Sequence, residues 1–204
     1  MKVGPKYKIC KRLGASVFEK CQTQRFQVAE ARSPRKISRS GARGGSDFGL
    51  QLLEKQKARF TYGLSERQFS RYAKEAMSGH GANAAVELLA RLEARLDNVI
   101  WRAGFVTTRR AARQLVSHGH ITVNGRRMTV PSYQVKQGEA VAVRQESRTS
   151  PLFMNRSEKM AEHKTPTWME LEDNGFAAKI TAEPKIEVSE VAFNPAVIIQ
   201  FYSR

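Results

Sequence analysis

The sequence predicts an α+β fold with its helices first, and three observations carry that reading. Apolar residues recur at three- and four-residue spacing through 47–119. Strand-like alternation begins only after Gly119, around an Asn-Gly pair. The first 45 residues are basic and rich in Ser and Gly towards their end.

Each helix carries its own punctuation. Ser46 or Asp47 caps a helix that Gly63 ends after Tyr62, and Ser65 caps a second with Phe69, Tyr72, Ala73, Ala76 and Met77 on its apolar side. The 79–82 loop breaks it. Asn83 then opens a third helix, in which Leu88, Leu89, Leu92, Leu96, Val99 and Ile100 form one stripe up to Gly104. Thr107 or Thr108 starts a short helix closed by Gly119. Residues 120–130 alternate about Asn124-Gly125, the strongest two-residue hairpin signal. Further strands are expected at 139–144 and at 195–202, the apolar PAVIIQFY run.

Charge narrows the function. The chain carries a net charge of +16 and a pI near 10.3. Residues 1–50 hold 12 basic against 3 acidic residues, whereas 146–204 hold 7 against 9. A purely solubilising charge would be spread evenly, so this asymmetry points to a polyanion-binding face on the first three-quarters. No stretch approaches about 18 apolar residues and no hydrophobic signal core follows Met1, so a soluble, non-secreted chain with no membrane partner is expected. Residues 31–46 read as a basic segment that gains order on a nucleic acid.

The 109–118 helix is the most informative element. Arg109, Arg113, Ser117, Arg110 and Gln114 share an arc of about 140°, opposite Ala111, Leu115, Ala112 and Val116. Between Arg91 and Arg127 there are 8 Arg and no Lys. Guanidinium forks match phosphate oxygens and stack on splayed bases, which ammonium groups do less well. Asn124-Gly125-Arg126-Arg127 adds donors on the following hairpin.

The stretch RLDNVIWRAGF…TTRRAARQLVSHGHITVNGRRMTVPSYQVKQGEAVAVR, residues 95–144, resembles the small RNA-binding module named after small-subunit ribosomal protein S-four. The flanks GPKYKICKR, SDFGLQLLEKQKARFTYGLSERQFSRY, PTWMELE and IIQFYSR resemble the bacterial type of that ribosomal protein family itself. The resemblance implies a basic, rRNA-binding arm at 1–45 and a helical domain at 46–91 joined by the tail at 195–204. The module follows at 92–194 with its core at 92–146: a two-helix motif packed on a small, mainly antiparallel sheet. It further implies binding to a multi-helix junction in the 5′ domain of small-subunit ribosomal RNA, early in subunit assembly. A place lining the messenger entry channel, contacts with small-subunit proteins three and five, and a part in translational accuracy come with it. Some bacterial members repress their own messenger.

Carried over by position, Arg109, Arg113, Gln114, His118, His120, Asn124 and Arg126 face RNA in the module. The first domain supplies Lys55, Lys57, Arg59, Tyr62, Gln68 and Arg71, and the arm supplies Arg12 and Arg43. Arg95 and Asp97 are expected to bridge or cap within the module. The chain departs from the family at two places. Zinc-binding members carry four cysteines near the N-terminus, whereas here Cys10 fits one position and Tyr7 stands at another, so neither metal nor other cofactor is expected. Cys10 and Cys21 read as reduced thiols. The family's Pro-Gly-x-His-Gly loop is replaced by SGARGG, which removes its histidine.

The alternative functions are an RNA-modifying enzyme and a free-standing RNA chaperone. Pseudouridine synthases carry this module and use an Arg-Leu-Asp motif, which Arg95-Leu96-Asp97 matches in letters. A catalytic carboxylate needs a pocket from a further domain, and only 60 residues follow Arg144, so no enzyme is expected. A chaperone would have no need of the long basic arm or the closing IIQFYSR.

Overall fold

The computed structural model describes residues 3–32, 46–79, 83–150, 153, 165–172, 175–186 and 190–203. Arg43, the 40–45 loop, most of the 31–46 segment, His80 and His163 lie outside the described residues. The chain divides into two compact units, Met1–Leu88 with Glu187–Arg204, and Leu89–Ile186.

The first unit is helical. Helices α1 (Lys6–Leu13) and α2 (Gln24–Arg32) flank a 3-10 turn, Glu19–Gln22, so the basic arm begins with structure. Cys10, Phe18, Cys21 and Phe26 are buried together, and the rings of Tyr7 and Phe26 lie 5.2 Å apart. Cys10 and Cys21 form a disulfide, which corrects the expectation of two reduced thiols. The turn folds back along α1 and brings both sulfurs into one apolar pocket, an approach that a separation of 11 positions did not signal. Among the described residues no group of three or more His, Cys, Asp or Glu could hold a metal ion.

Helices α3 (Asp47–Thr61) and α4 (Glu66–Ser78) begin where their caps direct. Ser46 Oγ accepts from Gly49 N at 3.3 Å, and Ser65 Oγ accepts from Gln68 N at 3.4 Å. The 195–202 run is not a strand. Pro195–Tyr202 forms a helix, named α8 here, that packs on α3 and α4. Asn194 caps it by accepting from Ala196 N at 3.0 Å and Val197 N at 3.4 Å, with Pro195 at the first helical position. An apolar run of this length suits a buried helix as well as a strand, and the Asn-Pro start decides between them. The Glu54 carboxylate, from α3, accepts from Asn194 N at 2.7 Å and fixes where α8 begins.

Helix α5 (Ala84–Glu93) ends about two turns before the apolar stripe does at Ile100. The expected single helix from Asn83 to Gly104 is broken at Ala94–Arg95, and α6 (Leu96–Arg102) starts afresh. The cause is non-local. Leu96 N donates to Tyr133 O at 2.8 Å, Asp97 N to Pro131 O at 3.2 Å, and Val135 N to Ala94 O at 2.8 Å. Pairing with 131–135 opens the chain at Arg95, while the apolar spacing runs on unbroken.

The second unit sets α6 and α7 (Arg109–His118) against an antiparallel sheet of β1 (Ile121–Val123), β2 (Arg126–Met128), β3 (Ala140–Val143), β4 (Met169–Leu171) and β5 (Ala177–Ile180). The order across the sheet is β2-β1-β3-β5-β4. Leu96, Val99, Ile100, Leu115 and Val116 pack with Ile121, Val123, Val141, Val143, Met169 and Ile180 in one core. Asn124 and Gly125 both take positive φ, 49° and 77°, as a tight hairpin turn requires. No described helix is long and apolar enough to cross a membrane.

Glu66 ties the first unit together. Lys55 Nζ donates to it at 2.8 Å, Arg59 at 3.1 Å and the Tyr202 hydroxyl at 2.8 Å. Burial pushes the Glu66 carboxyl up, but the Lys55 and Tyr202 hydrogen bonds and the Lys55 and Arg59 charges outweigh it and hold it below 4.5. Burial and the Glu66 bond both push Tyr202 upward. Glu66 therefore contributes stability that is complete above pH 4.5 and is lost as pH falls towards its lowered folded value. Tyr202 contributes stability that is lost as pH rises above 10. We expect Glu66→Gln to unfold at lower urea than wild type near neutrality. The difference should shrink steadily below pH 4.5; a gap independent of pH would contradict the linkage.

Candidate nucleic-acid interface

Helix α7 is aimed by its ends. Thr108 Oγ1 accepts from Ala111 N at 3.1 Å, and Gly119, at φ 77°, closes the helix with its N–H on Leu115 and Val116 carbonyls. Ala112, Leu115 and Val116 are buried, which turns Arg110, Gln114, Ser117 and His118 outward.

Two arginines of the arc are partly covered and held from beneath. Arg113 donates to Asp97 Oδ2 through Nε at 2.8 Å and Nη2 at 2.6 Å. The same carboxylate takes Arg95 Nε at 3.0 Å and Nη2 at 2.8 Å, so Arg95 and Asp97 bridge within the module as expected. Arg109 donates from Nε to Asn98 Oδ1 at 2.7 Å, and its guanidinium carbon lies 3.6 Å from the centre of the Trp101 ring. Asn98 Nδ2 donates to the Glu93 carboxylate at 2.9 Å, and Arg102 Nε donates to that carboxylate at 2.9 Å. Glu93, Arg95, Asp97 and Asn98 are all buried. An unpaired buried charge is costly, and here every carboxylate faces at least one guanidinium. Asp97 is enclosed by two arginines.

The hairpin extends this cationic surface. Strand register pairs Arg126 with Val123, whose side chain enters the core, and Arg127 with Thr122 on the opposite face. Both arginines are exposed. Arg127 crosses the Gly119 turn and its Nη2 donates to His118 O at 3.3 Å. Arg127 belongs to the Asn124-Gly125-Arg126-Arg127 donors expected on the hairpin, and the period of two along β2 separates it from Arg126. The rings of His118 and His120 lie 6.1 Å apart, and His120 Nδ1 is hydrogen-bonded to Ser147 Oγ at 2.9 Å. Asn124 is exposed, yet its Oδ1 accepts from Ala140 N at 2.9 Å and so extends the β1–β3 pairing.

The candidates of the first unit divide. Arg12 and Arg71 are exposed, and Lys57, Arg59 and Gln68 are half-buried. Arg71 shares a groove of about 500 Å³ with Arg67, Ser70, Lys74, Glu75 and Ser78 along α4, so Arg67 and Lys74 join it as cations the sequence reading passed over. Lys55 and Tyr62 are buried. Lys55 Nζ sits 4.4 Å from the Phe201 ring and bonds Glu66, and Tyr62 packs edge-on against Phe193 at 6.3 Å. Both were expected at RNA, and both serve the core. The resemblance carried them to RNA by position, and the covering element, α8 with its preceding turn, comes from more than a hundred residues away.

A pair of helices with a cationic outer arc, backed by a small antiparallel sheet, defines an RNA-binding module, and residues 94–141 match the family model described as S4 domain. Residues 2–93 match a second model, the ribosomal protein S4/S9 N-terminal domain. Small ribosomal subunit protein uS4 of Roseiflexus castenholzii is 47% identical over 205 residues, covering 99% of this chain and 98% of its own length. The uS4 protein of Thermus thermophilus is 41% identical over 208 residues, with the same coverage. The chain belongs to the uS4 family of ribosomal proteins.

A side chain at position 119 would force a β-carbon into the Arg127 guanidinium and hold an L-residue at positive φ. We expect Gly119→Ala to cost about 1–2 kcal/mol in urea denaturation. Adding Arg127→Ala should recover little, because the backbone strain remains; full recovery would locate the cost in the side-chain clash.

Proposed function

We infer that the chain is a structural constituent of the small ribosomal subunit and no enzyme, and we propose that it binds a multi-helix junction in the 5′ domain of small-subunit ribosomal RNA. In this reading it acts early in assembly, lines the messenger entry channel, contacts small-subunit proteins three and five, and contributes to translational accuracy. Full-length kinship with uS4 proteins carries the reading, because the module by itself is shared with other classes of RNA-binding protein.

The physical mechanism is electrostatic and geometric. Arginines on α7 and the hairpin, with Arg67, Arg71 and Lys74 on α4, release counterions from RNA phosphates. Within each unit the fixed spacing of its cations then favours a folded RNA whose phosphates match it, with little demand on base sequence. The outward residues Arg110, Gln114, His118, Arg126 and Arg127 are the proposed first contacts, with Arg109 and Arg113 presented from their buried supports.

Filter binding to a 5′-domain transcript of small-subunit RNA tests this reading. Affinity should fall steeply with salt, with a log–log slope of about −0.7 to −0.9 per phosphate neutralised. Arg110→Glu should weaken binding about tenfold or more and flatten that slope, while Lys179→Glu, exposed on β5, should leave both near wild type. Equal losses for the two variants, or equal affinity for duplex DNA, would overturn the proposed face.

A further inference from the structure

We propose that Trp101 is a positioning residue for RNA binding, holding the plane of the Arg109 guanidinium with Asn98 as its second support. The proposal rests on the RNA-binding reading above and assigns a role to a side chain that the arginine arc alone does not include.

Arginine is a long, mobile side chain, and freezing it on binding costs entropy that subtracts from affinity. Two independent restraints act on Arg109 within the protein itself. Its Nε–H is directed to Asn98 Oδ1 at 2.7 Å, which fixes the guanidinium in position. Its guanidinium carbon lies over the Trp101 indole, 3.6 Å from the ring centre, a contact close enough to restrict the tilt. A hydrogen bond and a close ring contact together leave a planar fork little rotational freedom.

Both supports are themselves braced. Asn98 is 1% exposed and its amide group donates to the Glu93 carboxylate at 2.9 Å and the Glu93 carbonyl at 3.2 Å, which orients Oδ1 towards Arg109. The Trp101 Nε1–H donates to Thr107 O at 3.3 Å, tying the indole to the segment that leads into α7. Arg102, bonded to Glu93 at 2.9 Å, places its guanidinium carbon 5.1 Å from the same indole. The indole is thus held at its edge, with two cations near it. It is half-buried and packs against the margin of the core, so the stability of each variant is read beside its affinity.

A bare phosphate contact would need only a positive charge at position 109. A positioned fork needs the guanidinium and the aromatic face together, so the two residues should behave as one unit. The test is a double-mutant cycle on the full chain, reading affinity for a 5′-domain small-subunit transcript at one fixed salt concentration. Trp101→Leu and Arg109→Lys should each weaken binding about three- to tenfold, and the double variant should be no weaker than the worse single one. Trp101→Phe, which keeps a stacking face, should bind within about twofold of wild type. The ¹⁵N order parameter of Arg109 Nε in the RNA-free protein should be high in wild type and Trp101→Phe, and low in Trp101→Leu. Additive losses, or wild-type affinity for Trp101→Leu, would refute the positioning role while leaving RNA binding standing. If wild type itself does not bind the transcript, the RNA reading and this proposal fall together. A Trp101→Leu chain that unfolds at a lower temperature yet keeps a high Arg109 order parameter would also refute it.

Discussion

The Asp97 carboxylate, almost wholly removed from water, holds Arg95 on one side and Arg113 on the other. The cationic surface of the second unit depends on this interaction. Removing a carboxylate from water is costly unless its lone pairs are met, and here two guanidiniums meet them. In return the carboxylate sits under a helix crowded with like charges and offsets part of their repulsion. Glu93 repeats the device one turn earlier, with Arg102 and Asn98, and through Asn98 it reaches Arg109. The arginine arc is therefore an ordered layer over buried acids, and α6 and α7 are locked in register by the same contacts that orient the binding groups.

The first unit applies the same chemistry to a different end. Glu66 gathers Lys55, Arg59 and Tyr202, joining α3, α4 and α8. Lys55 also lies over the Phe201 ring, so a residue that reads as a surface cation becomes a tie for the terminal helix. A positive charge in the sequence thus divides into two populations. Some cations, such as Arg71, Arg110 and Arg127, are exposed, while others, such as Lys55 and Arg95, are themselves buried and paired with carboxylates.

What could be read from the sequence followed the range of the interaction. Ser46, Ser65, Asn83 and Thr108 cap helices where their local pattern says, because a cap bonds within three residues. Asn124-Gly125 marked its hairpin for the same reason, since positive φ is a demand on the residues themselves. The amphipathic arc of α7 was equally plain. The helix break at Arg95 was not, because it answers to 131–135, and the apolar stripe continues through it. Burial of Lys55 and Tyr62 was hidden likewise, since α8 and its preceding turn supply the cover. Strands β4 and β5 are too short and too weakly patterned to announce themselves, and they exist through pairing with β3 and each other. At the site, the arginines were legible as charge and the Arg95–Asp97 bridge as an expectation, while Glu93, Asn98 and the indole that orient Arg109 were legible only in three dimensions.

Sedimentation tests the central claim, that this ordered cationic surface places the chain in the small ribosomal subunit. A cell lysate containing the tagged chain would be run on sucrose gradients at low and at moderately raised salt, and the fractions probed for the chain and for small-subunit RNA. The chain should travel with the small subunit in both, while Arg110→Glu combined with Arg127→Glu should shift a large share to the top of the gradient. A wild-type chain that remains at the top in low salt as well as in raised salt would contradict the account.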